Sequence, residues 1–146
     1  RNPLLFLSDY FRKHREEYLA RLLAVSRQGE IESWLRFFLE GVRQVAAAGV
    51  EVADAVISLH RRLTDEVSEV YQGPLGKALL DHLFRQPRTT VPEAATAFVA
   101  PRPGVNDAVN RFCAHGWLKQ LTPGRRNRVF VFQTYWEVLR EAGRLP

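Results

Sequence analysis

Catalysis or metal binding in this chain would have to rest on four histidines, one cysteine and sixteen carboxylates. His14, His60, His82 and His115 stand far apart. There is no H-E-x-x-H, and no second histidine lies three or four residues away to share a helical face around zinc. His60, followed by Arg61 and Arg62, reads as a solvated helix edge, and His115, before Gly116, as part of a helix end. Cys113 has no second thiol and no base spaced to activate it, so it reads as a packed thiol rather than a nucleophile. Gly73-Pro74-Leu75-Gly76-Lys77 is too short to cradle phosphate as a P-loop does. The remaining chemistry is recognition. Arg125, Arg126 and Arg128 crowd one turn with Lys119 across from them, and cations gathered on a projecting loop suit phosphate oxygens. Arg102, Asn106, Asn110 and Arg111 fall in one short stretch. An Asn amide can pair two bonds with adenine and an Arg with guanine. These eight residues are the candidate DNA-binding set, and no catalytic residue or metal ligand is assigned.

Charge placement agrees with that choice. Lys and Arg number 21 against 16 Asp and Glu, a net +5; residues 1–70 hold 10 against 11, and residues 71–146 hold 11 against 5. The whole surplus lies in the second half, as expected of a polyanion-facing module joined to a neutral one. Asp107 opposes it, since its carboxylate repels phosphate.

The elements that position these residues follow from periodicity and breakers. Val105, Ala108, Val109 and Phe112 form the core face of a helix over 105–115, and Asn106, Asp107, Asn110 and Arg111 form its outer face. Ala100-Pro101-Arg102-Pro103-Gly104 is expected as the turn before it. A helix over 92–99 precedes that turn, with Thr90 as N-cap and Glu93 as capping-box partner. Another helix spans 74–85, and Thr89 to Val91 offers a short extended piece. Trp117 to Leu121 and Val129 to Phe132 read as strands around the turn 122–127, and Trp136 and Leu139 supply a closing helix over 135–142. Residues 71–146 are thus expected to form a winged helix-turn-helix domain with a two- or three-stranded wing.

Residues 1–70 are expected to be a separate helical segment, with the boundary at Gly73, Pro74 and Gly76. Pro3, Leu4, Leu7, Phe11, Tyr18, Leu22 and Val25 suggest one helix of about 20 residues ending near Gly29. Trp34, Leu35, Phe38, Val42 and Val45 give a second helix, over 30–48, with an aromatic face. Val52, Val56, Leu59, Leu63, Val67 and Val70 form an apolar stripe on a third helix or a continuation of the second. That stripe needs a partner: this chain, a second copy in a homodimer through residues 52–70, or a preceding segment. The fold class is mainly α. No window approaches the roughly 18 apolar residues of a membrane span, no signal peptide is read, and the single cysteine suits the cytoplasm. The absence of Met is expected of a chain either processed or cut from something longer.

Two stretches carry a family resemblance. NPLLFLSDYFRKHREEYLARLLAVSRQGEIESWLRFFLEGV resembles the segment that follows the active-site motif in Fic proteins, and AVNRFCAHGWLKQLTPGRRNRVFVF resembles the module that often ends them. SDYFRKHREEY, WLRFFLEGV and GRRNRVF are the most specific pieces, in the family's order and spacing. The resemblance implies a parent protein that transfers AMP from ATP, with Mg²⁺, to hydroxyl side chains of a target protein. It also implies that this chain is not itself an enzyme and holds no cofactor, because the motif H-P-F-x-[DE]-G-N-G-R is absent. The family's inhibitory pattern [ST]-x-x-x-E-[GN] is missing too: Ser26 and Glu30 are followed by Ile31, and Thr89 and Glu93 by Ala94. Relatives more often show a Ser-rich cap where this chain has Ala-Pro-Arg-Pro-Gly. Winged helices bind DNA or dock protein partners, and a homodimeric scaffold that never touches nucleic acid is the alternative.

Overall fold

The helix expected before Gly29 is broken once, at His14, whose φ of −106° and ψ of 35° leave the helical range. The computed structural model describes residues 7–124 and 126–142; Pro3 and Leu4 lie outside them. It places α1 (Leu7–Lys13) and α2 (Arg15–Gln28) on either side of His14. Gly29, at φ 70°, closes α2 with its N–H on the Val25 carbonyl at 3.1 Å. Helix α3 (Ile31–Val70) then runs for 40 residues, about 60 Å at 1.5 Å per residue. The stripe from Val52 therefore continues the second helix. Ala46, Ala47 and Ala48 are strong helix formers that carry the chain through Gly49.

The chain divides into two compact units between Ala53 and Asp54, inside α3. In the first, Tyr10, Phe37 and Val45 are buried, with Phe11, Tyr18 and Trp34 half-buried against them. Gly41 is required here: a Cβ would stand 2.6 Å from two carbons of the Tyr10 ring, which lies on the helix backbone. Arg21 crosses from α2 to donate to the Ser33 carbonyl at 3.1 Å, with its guanidinium 5.6 Å over Phe37. Leu35, expected on the aromatic face, is 52% exposed, because one residue turns the helix by about 100° away from Trp34.

In the second unit the remainder of α3 is part of the core. Leu59, Leu63 and Val67 are buried with Leu79, Leu80 and Leu83 of α4 (Pro74–Arg85). The boundary expected near residue 71 thus falls elsewhere: α3 ends at Val70 and Gly73 and Pro74 begin α4, but the core continues across them. From Val56 to Val70 the stripe packs within its own chain, and Leu59, Leu63 and Val67 are not available as the dimer surface expected for residues 52–70. His60, expected on a solvated edge, is half-buried, its Nε2 3.4 Å from Asp81 Oδ1 and its ring 4.7 Å from Phe84.

Strand β1 (Arg88–Thr90) leads into α5 (Val91–Phe98) through the expected capping box: Thr90 Oγ1 accepts from the Glu93 N–H at 3.3 Å, and Glu93 Oε2 accepts from the Thr90 N–H at 2.8 Å. Helix α6 (Arg102–Ala114) starts three residues before the expected Val105. Pro103 and Gly104 fall in its first turn, where an N–H has no intrahelical partner and proline loses nothing. β2 (Leu118–Gln120), β3 (Val129–Phe132) and α7 (Gln133–Ala142) follow. The sheet is antiparallel in the order β1-β3-β2, with Thr89 opposite Phe130 and Lys119 opposite Val131. On the central strand Phe130 and Phe132 point into the core, whereas Val129 and Val131 are only partly covered. The fold is mainly helical with a small three-stranded antiparallel sheet. No helix among the described residues is long and apolar enough to cross a membrane.

Two helix ends share one hydrogen-bond pattern with different residues at its centre. At the end of α6, the Trp117 N–H reaches the Phe112 carbonyl and the Gly116 N–H the Cys113 carbonyl, both at 3.0 Å, with Gly116 at φ 76°. At the end of α5, the Ala100 N–H reaches the Ala95 carbonyl at 3.0 Å and the Val99 N–H the Thr96 carbonyl at 3.3 Å. There the left-handed position, φ 52° and ψ 43°, is held by Val99. A β-branched residue rarely adopts that conformation, and this one is 94% exposed.

Candidate nucleic-acid interface

Helix α6 divides by face as its periodicity requires. Val105, Ala108, Val109 and Phe112 are fully buried, while Asp107, Asn110 and Arg111 are exposed and Asn106 is half-buried. Arg102 is exposed in the first turn, and the β2–β3 hairpin follows the C-terminal end of the helix. Arg126 stands exposed in the hairpin loop, and Lys119 is exposed on β2; Arg125 lies outside the described residues. The loop is braced from within. Gln120 Nε2 donates to the carbonyls of Thr122 at 2.6 Å and Gly124 at 2.9 Å, and Thr122 Oγ1 accepts from the Val129 N–H at 3.0 Å.

Arg128 does not sit with Arg126 at the loop tip. Its guanidinium turns to α6, where Nη1 donates to Asn110 Oδ1 at 3.2 Å and Nη2 makes a short bond to Asn106 Oδ1, while its Cζ lies 5.0 Å over the Phe130 ring. The expectation of three arginines acting together at one tip is corrected here. The cause is strand parity: Arg128, Phe130 and Phe132 are two residues apart and share a face, so the face that buries the phenylalanines carries Arg128 toward the helix. The expectation that Asn106 and Asn110 are free amides is corrected by the same contact.

Arg111 is also engaged. Its Nε donates to Asp107 Oδ2 at 3.0 Å, and its guanidinium lies 5.2 Å over the Tyr71 ring. The pair softens the objection raised by Asp107, since that carboxylate meets a cation one helical turn away. Tyr71, just past the end of α3, gave no sign of this role in the sequence beyond being an aromatic near a helix terminus. Thus Arg102, Lys119 and Arg126 are exposed, Asn106, Asn110 and Arg128 form one cluster, and Arg111 is paired.

Burial pushes the Cys113 thiol up, against a smaller opposing pull from Arg128, so its surroundings favour the protonated form. The His115 ring stacks on Trp117 at 4.8 Å, while Gly116 takes the left-handed turn that ends the helix. His82 Nε2 is 3.1 Å from Thr89 Oγ1, and burial lowers its pKa below the ordinary imidazole value. It borders an open groove of about 600 Å³ between α4 and α5, with Arg85, Glu93 and Thr96. Among the described residues, no three His, Cys, Asp or Glu side chains gather as a metal site would need. No family model matches the sequence.

Proposed function

We propose that the second unit is a winged-helix module that binds duplex DNA, with the outer face of α6 in the major groove and the β2–β3 hairpin against the phosphates. The observation that carries the reading is the Arg128 contact, which ties the hairpin to Asn106 and Asn110 of α6; Arg102, Lys119 and Arg126 are exposed in the same unit and supply cations for phosphate. A major groove about 12 Å wide accepts one helix, and a flanking hairpin has phosphate oxygens within reach. On the resemblance in SDYFRKHREEY, WLRFFLEGV and GRRNRVF, we read the chain as a C-terminal, non-catalytic part of a Fic-family protein. The AMP transfer, its ATP and its Mg²⁺ then belong to residues outside this sequence.

The test is binding of the full chain to mixed duplex DNA across a salt series, beside the triple variant Arg102→Ala, Lys119→Ala, Arg126→Ala. The full chain is needed because Leu59, Leu63 and Val67 belong to the core, so a piece starting at residue 71 would lack part of its interior. Each phosphate contact contributes about 0.9 to the log–log salt slope. The unaltered chain is expected to show a slope of about −2 to −4, and the triple variant to lose most of it. Absence of binding at low salt would end the DNA reading.

A second reading, a protein-interaction or homodimerisation scaffold, draws on the first unit, where Leu19, Leu23, Ile31, Leu35, Leu39 and Val50 are exposed. Apolar side chains in that number suit a protein partner. Sedimentation at high concentration tests it: a strictly monomeric chain removes the homodimer.

A further inference from the structure

We infer that Arg128 fixes the hydrogen-bonding sense of α6, so that Asn106 and Asn110 present donors rather than donor–acceptor pairs and the surface favours guanine over adenine. The inference rests on the DNA-binding reading above and adds a base preference to it.

A guanidinium has five donors and no acceptor, so only the amide oxygen of an Asn can face it. Both amides are oriented this way: Arg128 reaches Asn110 Oδ1 through Nη1 and Asn106 Oδ1 through Nη2. In a planar amide the nitrogen lies on the other side of Cγ, so each Nδ2 turns away from Arg128. No described residue accepts a hydrogen bond from either Nδ2. Arg128 is itself held, by its place on the inward face before β3 and by the Phe130 ring beneath it at 5.0 Å. A base that brings a donor toward either oxygen meets a cation already seated there.

The major-groove edges separate on this basis. Adenine offers the N7 acceptor and the N6 donor, and its two-bond pairing with Asn needs a free Oδ1. Guanine offers two acceptors, O6 and N7, which the two hydrogens of one Nδ2 can meet without using the oxygen. Arg128 is therefore a positioning residue: it sets which groups of its neighbours face outward.

The experiment uses the full chain and 20-base-pair duplexes that differ only in a central window, G·C against A·T, with a third duplex carrying 7-deazaguanine, which lacks the N7 acceptor. Anisotropy at one low salt concentration reads the affinities. The expected result is about tenfold tighter binding to the guanine window, the order of one good base contact, with most of that advantage lost on 7-deazaguanine. Arg128→Met keeps the apolar stem and frees both oxygens, so its preference is expected to shrink to within about twofold or to pass to adenine. Equal binding of the unaltered chain to both windows, or an adenine preference, overturns the inference. So does an equal weakening on all duplexes in Arg128→Met, which would mark Arg128 as a phosphate contact. Should Arg128→Met fail to fold, Asn110→Ala at an exposed site decides: loss of the guanine advantage supports the inference and an unchanged advantage overturns it. Salt-dependent binding without base preference removes this inference alone, whereas no duplex binding removes the DNA reading and this inference with it.

Discussion

Replacing Val99 by glycine is expected to stabilise the protein, although Val99 is apolar and Gly is the poorest residue for ordered backbone other than proline. The α5 end has the same two hydrogen bonds as the α6 end, where Gly116 holds the left-handed position, yet at α5 that position belongs to a valine at φ 52°. Left-handed backbone costs a residue with a Cβ about 1–2 kcal/mol, and β-branching puts Val at the upper end. Glycine removes that strain but adds about 0.5–1 kcal/mol of unfolded-state entropy. The side chain is 94% exposed, so its loss forfeits almost no burial. The net expectation for Val99→Gly is a gain of about 1 kcal/mol. For a unit of this size that is a rise of about 4–8 °C in Tm, with a higher urea midpoint and an unchanged m-value. Gly116→Ala is the reciprocal measurement: an added Cβ meets nothing within 4 Å, so the change is purely backbone, about 1–2 kcal/mol of left-handed strain offset by about 0.5–1 kcal/mol of unfolded-state entropy, a net loss of about 0.5–1 kcal/mol. If Val99→Gly lowers the midpoint, or Gly116→Ala leaves it in place, the shared account of these two ends is wrong.

Three further predictions concern the two cores and one partly buried imidazole. Gly41→Ala forces the Tyr10 ring off α3 and is expected to destabilise the first unit by about 1–3 kcal/mol, read as lost near-ultraviolet circular dichroism and a lower melting temperature. Leu63→Ala opens a cavity where Leu63 is fully buried and is expected to destabilise the second unit by about 2–5 kcal/mol in urea unfolding, whereas a surface residue at that place would show almost no change. For His82, burial favours the neutral ring and depresses the folded pKa, so the unfolded chain binds the extra proton. Stability is therefore whole above the ordinary imidazole pKa of about 6.5 and falls as pH drops through it toward the depressed folded value. Melting temperatures of His82→Gln from pH 7.5 to 5 are expected to fall less steeply than those of the unaltered protein, and parallel curves would contradict this.

Local signals in the sequence translated directly where they involve near neighbours. Thr90 and Glu93 form their capping box, α4 spans Pro74–Arg85 as its apolar spacing and Pro87 suggested, and the four core positions of α6 are fully buried. Legibility failed where the deciding contact is distant in the chain. Gly73 and Pro74 suggest a domain division, yet Leu59, Leu63 and Val67 share one interior with residues beyond them, because breakers report backbone direction and not which side chains meet. The Arg128 contact spans 18 and 22 residues. Its inward direction was nonetheless available from its two-residue spacing to Phe130 and Phe132, a parity overshadowed by the cluster of arginines. Val99 left no such trace, since nothing in residue preference would place a valine where glycine is at ease.

Lys119 also carries a consequence for solubility. In a three-stranded sheet of order β1-β3-β2, β1 and β2 each pair with a described strand on one side only, and an unpaired edge is a template on which a neighbouring molecule can add a strand. Here both flanking strands are only three residues long, and their exposed positions are Arg88 on β1 and Lys119 on β2. A like molecule approaching either flank edge to edge brings its own cation against one already there. The charge that would meet a nucleic-acid backbone thus also keeps the sheet from growing, and neutralising Lys119 for a binding experiment removes one guard against fibrous self-assembly.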